Sequence, residues 1–596
     1  MIKNEKKSGA HINRRSFLKS VAATGAMATI AAAHPATAAQ SANENKAATK
    51  PWRDQPDPID EKLISEVGTY DIVVVGGGNA GLVCARAAAM KGASVAVIEN
   101  QADKSYVRGI GSQPGTVNSQ YALDQGAPRI DEDDFLREWA RRNVIRHNPK
   151  RASYFVKNSG RVMDRLIQDA GKEWMAKNAH VMACPPKPTV LLEVSGWKFY
   201  YGAATFRGNL SDPTLNSGLE PWSEFLRMHQ EKAMAEGAEW FCEHHAEICD
   251  LDDSGAVTGV VAKRKDGTYI RFKARKGVAL CAGDFAGNRE MVIDILDDVR
   301  HQAEARGDLN LVRAGGGMGS IRDGSGIKLG IWAGGHIEIG PRSCIGAGDP
   351  GAGVWYLQLD HNGERFHDEA AGTMLAQPIG SVRVTLYDAN WKTALEMMPP
   401  RHMGPDTAEP TEWEARLKHL DNIKPGPPSK DKQVSRSRYG LPGVDGTTCC
   451  ANTIEELLDY MDCYKGETRK KALAEIARYN ELCEKGVDED FGKDPRILKV
   501  TSLENPLFYG TVGTYNGPGF MGGGSLSAGM NATTGLDTDA DGHVLNSDFK
   551  PIKGLYAAGN NAGGRFITVY QSPIAGVSIG MAITEGFMLG ERLAAL

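Results

Sequence analysis

At 596 residues the chain is long enough for more than one domain, and 41% hydrophobic with 24% charged residues is the balance of an ordinary globular protein. The formal net charge is −5, and it becomes about −10 if residues 1–38 are removed, which argues against nucleic acid or an anionic membrane surface as a partner. The ten cysteines form no CxxC or CxxCH spacing, so covalent c-type haem and a zinc ribbon find no support, and no metal site is expected.

The N-terminus reads as a targeting segment. Asn13-Arg14-Arg15-Ser16-Phe17-Leu18-Lys19 is a twin-arginine pattern, followed by an Ala-rich apolar stretch (21–33) and the small-residue cleavage pattern Ala36-Thr37-Ala38. Export to the periplasm or beyond, with the twin-arginine translocase as a partner, follows from that pattern. Residues 39–68 are polar and read as a linker.

The most informative stretch comes next. An apolar strand (72–75) runs into Gly76-Gly77-Gly78-Asn79-Ala80-Gly81, an Ala-rich helix follows, and a second apolar strand (94–98) ends on Glu99, 23 residues after Gly76. Strand, glycine turn, helix, strand and acid in this order form the dinucleotide fingerprint. The glycines let the backbone approach a pyrophosphate, the helix N-terminus offers N–H groups to its charge, and Glu99 accepts from ribose hydroxyls. The spacing beyond predicts an amphipathic helical region (131–171). It also predicts a β-meander (239–288) with turns at 252–255 and 265–267, closing on an apolar strand at 277–283. A helix follows Asp323-Gly324-Ser325-Gly326. Residues 335–499 change character, with Pro clusters and charged helices at 453–464 and 467–485, and read as an inserted domain. The last hundred residues return to strands and turns, then Gly554-Leu555-Tyr556-Ala557-Ala558-Gly559-Asn560 and a long terminal helix. Asp537-Thr538-Asp539-Ala540-Asp541-Gly542 looks like the start of a calcium loop but lacks flanking helices and reads as a hairpin turn. The neighbours His244 and His245 alternate faces on a strand and make a poor metal site.

Taken together, Gly76–Gly81 with Glu99, the segment 278–285, the segment 323–330, Gly363-Glu364-Arg365-Phe366-His367-Asp368-Glu369, and 554–560 with the terminal helix resemble one flavoprotein family. It includes fumarate reductase flavoprotein subunits, urocanate reductases and 3-ketosteroid dehydrogenases, and the likeness spans 69–596. The resemblance implies an α/β fold: a Rossmann-like FAD-binding domain (69–334 and 500–596) interrupted by an α+β capping domain (335–499). It implies non-covalent FAD held by Gly76, Gly78, Asn79, Ala80, Gly81, Glu99, Asn100, Gly111, Ser112, Ala282, Gly283, Gly559, Asn560, Gly576, Val577 and Ser578. It further implies hydride transfer between flavin N5 and a carbon next to an activating carbonyl or carboxylate.

Departures from the family pattern narrow that reading. Thr373 stands where fumarate-type members carry a proton-delivering arginine, Tyr570 stands where they carry a carboxylate-binding arginine, and Asp284 replaces a common glycine. A plain fumarate reductase is therefore not expected. Tyr570 and Gly576 match the residues that hold a substrate carbonyl on the ketosteroid side, with Ser572 falling in strict register. Tyr356, Arg365 and Tyr515 are candidate proton donors. Arg365 can equally pair with Glu369 inside the cap. Arg108 and Arg565 are candidate sites for an anionic substrate. The expected activity is reduction of an α,β-unsaturated carbonyl or carboxylate, with electrons from an external cytochrome or quinol-linked donor. The alternatives are a 3-ketosteroid-type 1,2-desaturase and a non-catalytic flavin-binding electron carrier.

Overall fold

The computed structural model describes residues 51–596 except 107, 110, 144–146, 182–190, 192–193, 195–196, 207–219, 306, 315–321, 343, 346–354, 371–381, 398–423, 427–447, 515–530, 567–569 and 571–572. The export segment lies outside the described residues. The fold starts earlier than the expected linker boundary. Trp52 is buried, its Nε1 donates to Asp294 Oδ2 at 3.0 Å, and the first strand opens at Ile64, so residues 52–68 are attached to the core rather than spanning to it.

Strand β1 (Ile64–Val75) leads into helix α1 (Asn79–Ala89) and the parallel strand β2 (Val95–Ile98), with Ile72 opposite Val95 and Val75 opposite Ile98. Helix α2 (Glu132–Arg142) starts at Asp131, whose side chain accepts from the Asp134 amide. Helix α3 (Pro149–Ala170) starts at Asn148, which accepts from two first-turn amides ahead of a proline that could not donate. Helix α4 (Glu220–Ala235) returns the chain to β3 (Ala238–Phe241), which extends the sheet beside β2. The meander then forms as the turn residues dictate, through β4 (His244–Leu251), β5 (Val257–Arg264) and β6 (Tyr269–Leu280). Asp252 closes its first turn by accepting from the amides of Ser254 and Ala256. Strand β6 lies parallel to β1 and is followed by helix α5 (Ser325–Trp332).

The inserted region builds a second sheet from β7 (Leu357–Leu359), β8 (Val382–Tyr387), β9 (Thr448–Ala451) and β10 (Phe508–Thr514), in the order β7-β8-β10-β9, with helices α6 (Ile454–Met461) and α7 (Glu467–Lys485) packed on it. Strand β10 pairs with both β8 and β9, so the cap reaches Thr514 and not 499: the hydrogen-bond ladder, unlike the local composition, ties this strand to the cap. The chain then rejoins the large sheet through β11 (His543–Leu545) and β12 (Pro551–Ala557) and ends in helix α8 (Val577–Ala595). The turn before β11 is the hairpin, with Asp539 accepting from the amides of Asp541 and His543.

The large sheet runs β11-β12-β6-β1-β2-β3, with β5 and β4 branching from β6. Alternation along β1 decides the layers. Ile72 and Val74 point to α1 and α8, meeting Cys84, Ala88, Leu589 and Leu593. Val73 and Val75 point to the other face, where Phe272, Leu280, Ile327 and Leu329 cover them. A helix layer, a sheet and a second covered face result, with each fully buried aliphatic side chain contributing about 1.5–3 kcal/mol. The carboxyl ends of β1 and β6 meet at one edge, where parallel α/β sheets place their ligands.

Candidate functional site

At that edge an open cleft of about 850 Å³ of atom-free space is lined by the glycine turn, the β2 end, the β6 loop, the β12 loop and the first turn of α8. Gly76 is left-handed (φ 91), and a Cβ there would lie 2.5 Å from Ala282 Cα, so only glycine lets the two strand ends close up. Gly78 and Gly283 are different. Among the described residues, a Cβ at Gly78 would meet only Arg108 O at 3.9 Å and one at Gly283 nothing within 4 Å, so both leave open space in the cleft wall.

Gly78 also caps α1 without a side-chain bond, so no capping side chain stands between the helix start and a ligand. Asn79 is held from outside, its Oδ1 accepting from Trp222 Nε1 at 3.0 Å. Glu99 is pinned at the opposite lip, where Oε2 accepts from the Gly77 amide at 3.0 Å and Oε1 from the Gln101 backbone amide at 2.9 Å and its Nε2 at 3.2 Å, which leaves Oε2 a lone pair for a hydroxyl. The β6 and β12 loops are latched by Asn561, whose Oδ1 accepts from the Ala282 amide and whose Nδ2 donates to Gly283 O, both at 2.6 Å.

Asp284 is buried in the same wall. Its Oδ2 accepts from Arg322 Nη1 at 3.1 Å and Asn560 Nδ2 at 3.4 Å, and its Oδ1 accepts from the Ala286 amide at 2.7 Å. Burial pushes its carboxyl up, and the Arg322 charge opposes that shift. Arg322 Nη1 also donates to Asn531 Oδ1. Arg322, Asn531, Gln101, Gly109 and Ile579 line the cleft without having been expected there; the one sequence signal was the acid at 284, which a buried cleft wall obliges to have a cation partner.

The structure gathers Gly76, Gly78, Asn79, Ala80, Glu99, Ala282, Gly283, Asn560 and Ser578 around this cleft. The other expected cofactor residues are placed beside it. Gly81 packs against Gly76 O, Gly559 against Ala80, Gly111 against Ile579, and Val577 into a core cluster with Val117. Ser112 O accepts from the Phe206 amide, and Asn100 lines a separate surface hollow with His245 and Arg264. Gly576 caps α8 in a left-handed conformation (φ 67), where a Cβ would lie 1.4 Å from Gln113 O. Tyr570 is buried, packs edge-on to Phe566 with centroids 5.0 Å apart, and holds its hydroxyl 3.5 Å from the Ser578 amide.

Four expected substrate-side residues are committed elsewhere. Tyr356 donates to Trp391 O at 2.5 Å inside the cap core. Arg365 forks onto Glu369 and Asp488, at 2.9 and 2.8 Å, with Lys493 Nζ completing the buried group 3.1 Å from Glu369, so the pairing alternative describes its contacts. Arg108 donates to Gln230 Oε1 at 2.6 Å and to Tyr106 O, with its guanidinium over the Tyr106 ring. Arg565 is fully buried and bonds Asn560 from behind the cleft wall. Tyr515, Ser572 and Thr373 lie outside the described residues. Among the described residues no cluster of His, Cys, Asp and Glu could hold a metal, and no helix is long and apolar enough to cross a membrane. His245 faces Asp323 and Glu247, while His244 lies against Arg264.

Residues 71–577 match a family model described as FAD binding domain. The chain belongs to this family. FAD is its cofactor, and the cleft suits it: open space at Gly78 and Gly283 for the pyrophosphate, a helix start without a capping side chain beside it and the Glu99 carboxylate bonded to the Gly77 amide of the turn. Residues 11–31 match the twin-arginine translocation signal, so the protein is exported by that route. The chain is 24% identical over 552 residues to a vinyl phenol reductase of Lactiplantibacillus plantarum, covering 88% of this chain and 96% of that protein. It is 25% identical over 623 residues to a digoxin reductase of Eggerthella lenta, covering 98% and 97%. The crystal structure of 3-ketosteroid-Δ4-(5α)-dehydrogenase from Rhodococcus jostii RHA1 shares the fold, with a TM-score of 0.60 at 18% identity over 89% of this chain and 98% of that one.

Proposed function

We propose that the protein is an exported FAD-dependent reductase of an activated C=C bond in a small α,β-unsaturated carbonyl or carboxylate compound. The observation that carries this reading is the Tyr570 hydroxyl beside the Ser578 amide, at the helix start that lines the FAD cleft. Two relatives matched along nearly their whole length and named as reductases support it. FAD, when bound, supplies the hydride that reaches the β-carbon. Tyr570 and the first-turn N–H groups of α8 hold the substrate oxygen on which negative charge builds, the arrangement that stabilises an enolate. A second group must protonate the α-carbon. With Tyr356 and Arg365 committed to other contacts, we assign that role to Tyr515. Electrons reach the enzyme from a cytochrome or quinol-linked protein of the export compartment.

The test is anaerobic. The purified flavoprotein is photoreduced and its reoxidation followed against enoates (fumarate, urocanate, cinnamates), enones (steroidal and phenolic) and vinylphenols. Rapid reoxidation by one class is expected. Acceptor-dependent oxidation of saturated ketones, with no reoxidation by any unsaturated compound, would replace the reading with a desaturase; inertness in both directions would leave an electron carrier.

A further inference from the structure

Arg565 has a place in the fold that neither packing nor ion pairing accounts for. Its side chain is fully buried. Nε donates to Ala562 O at 3.2 Å and Nη2 to Asn560 Oδ1 at 2.5 Å, but among the described residues Nη1 has no hydrogen-bond partner. The charged and titratable groups around it belong to four elements, and the two carboxylates among them are engaged elsewhere. Glu585, on α8, is held by Arg151 of α3 at 2.7 Å. Glu338 accepts from the amides of Gly535 and Gly564, at 3.0 and 2.5 Å, and burial pushes it up to about 7, so it is a partial counter-charge at best. Tyr570, on the segment before α8, is the remaining neighbour. A guanidinium keeps its proton even when burial disfavours the charge, so a full positive charge stands here hydrogen-bonded to neutral oxygens, with Glu585 and Glu338 nearby but each bonded elsewhere. Buried charges are ordinarily paired, and an orphaned buried donor calls for a function. The one group that Arg565 grips by a short bond is Asn560, and Asn560 lines the FAD cleft.

We propose that Arg565 is a fixed cation, one residue behind the cleft wall, that holds reduced FAD in its anionic form, with Asn560 as the polar bridge. Two electrons from an external donor and one proton give that anion, whereas the neutral reduced form takes the same two electrons with two protons. The cation and the helix start of α8 act on the same charge, so the second proton is not needed. Arg565 is on this view a positioning and electrostatic residue for the cofactor, not the carboxylate site its sequence position suggested. The proposal requires FAD in the cleft but no particular substrate.

The experiment is a redox titration of the FAD-loaded protein with dithionite and mediator dyes, on the acid side of neutrality, where a reduced flavin in water carries both protons. One proton per two electrons gives a midpoint slope of about 30 mV per pH unit and two protons about 59 mV. Wild type and Arg565→Lys are expected at the shallower slope. Arg565→Gln, which keeps a donor for Asn560 but removes the charge, is expected at the steeper one, with the reduced state disfavoured roughly tenfold, about 30 mV at fixed pH. A wild-type slope of about 59 mV would overturn the proposal without any variant, as would Arg565→Gln matching wild type in slope and midpoint. Neither readout uses an organic acceptor, so failure of the substrate panel and failure here are separate results.

Discussion

Tyr570 is set by packing before any substrate arrives, with its ring against Phe566 and its hydroxyl 3.5 Å from the Ser578 amide. Tyr570→Phe keeps the ring and the core contacts and removes only the donor. It should leave FAD content unchanged and lower turnover by about tenfold to a thousandfold, measured as steady-state reduction of the best acceptor; equal turnover would remove Tyr570 from the chemistry. Gly78 gives the opposite test. A side chain there enters open cleft and not protein, so Gly78→Val should fold and yet purify without flavin, read from its visible absorbance against its far-ultraviolet circular dichroism. At this scale the FAD end of the site was legible because its residues act through local chain geometry: a glycine turn, an acid at a fixed spacing and a helix start. Arg322 and Asn531 were not legible. Arg322 pairs with Asp284 from 38 residues away and with Asn531 from more than 200, and nothing local marks either contact.

The cap shows the same division between elements. Arg365 and Glu369 sit four residues apart and announce a pair, but Asp488 and Lys493 come from a turn more than 100 residues later and turn that pair into a buried cluster that ties the edge of the β7 region to the segment after α7. Both cations lean on Glu369, and the Lys493 and Arg365 charges hold its carboxyl at about 2 against the push of burial. Glu369→Ala leaves buried Lys493 without its carboxylate and Arg365 with Asp488 alone, and should cost about 3–5 kcal/mol, measured by urea unfolding of the FAD-loaded protein; a loss below 1 kcal/mol would show that the cluster relaxes by admitting water. The cap boundary was misplaced for a related reason. Strand β10 follows a charged helical stretch and a turn, and only its ladder with β8 and β9 reveals which sheet it serves.

At the scale of the whole molecule, acid sensitivity has an identifiable origin. His229, on α4, is fully buried against Phe225 with neither ring nitrogen hydrogen-bonded, and desolvation lowers it from 6.5 to about 3. The folded state therefore refuses a proton that the unfolded chain takes up below about 6.5, so this group removes stability as pH falls from there towards 3. Glu338, raised to about 7, works the other way, binding its proton more tightly when folded and losing stability as pH rises through that value. The difference between wild type and His229→Leu isolates the first effect: the urea midpoint of wild type should fall more steeply between pH 7 and pH 5 than that of the variant, and parallel profiles would refute it. One feature of the helix layer bears on how such a protein is made. Helix α8 lies on α1 with so little room that a Cβ on Gly586 would come 2.2 Å from Ala80 O and one on Gly590 2.1 Å from Cys84 O. The helix that opens on the glycine turn is thus roofed by α8, from the far side of the sequence. A chain in which α8 has not docked has no finished flavin pocket, and a yellow molecule is one in which it has. For a protein handed to an exporter of folded cargo, cofactor retention then doubles as proof that two segments far apart in the sequence have met.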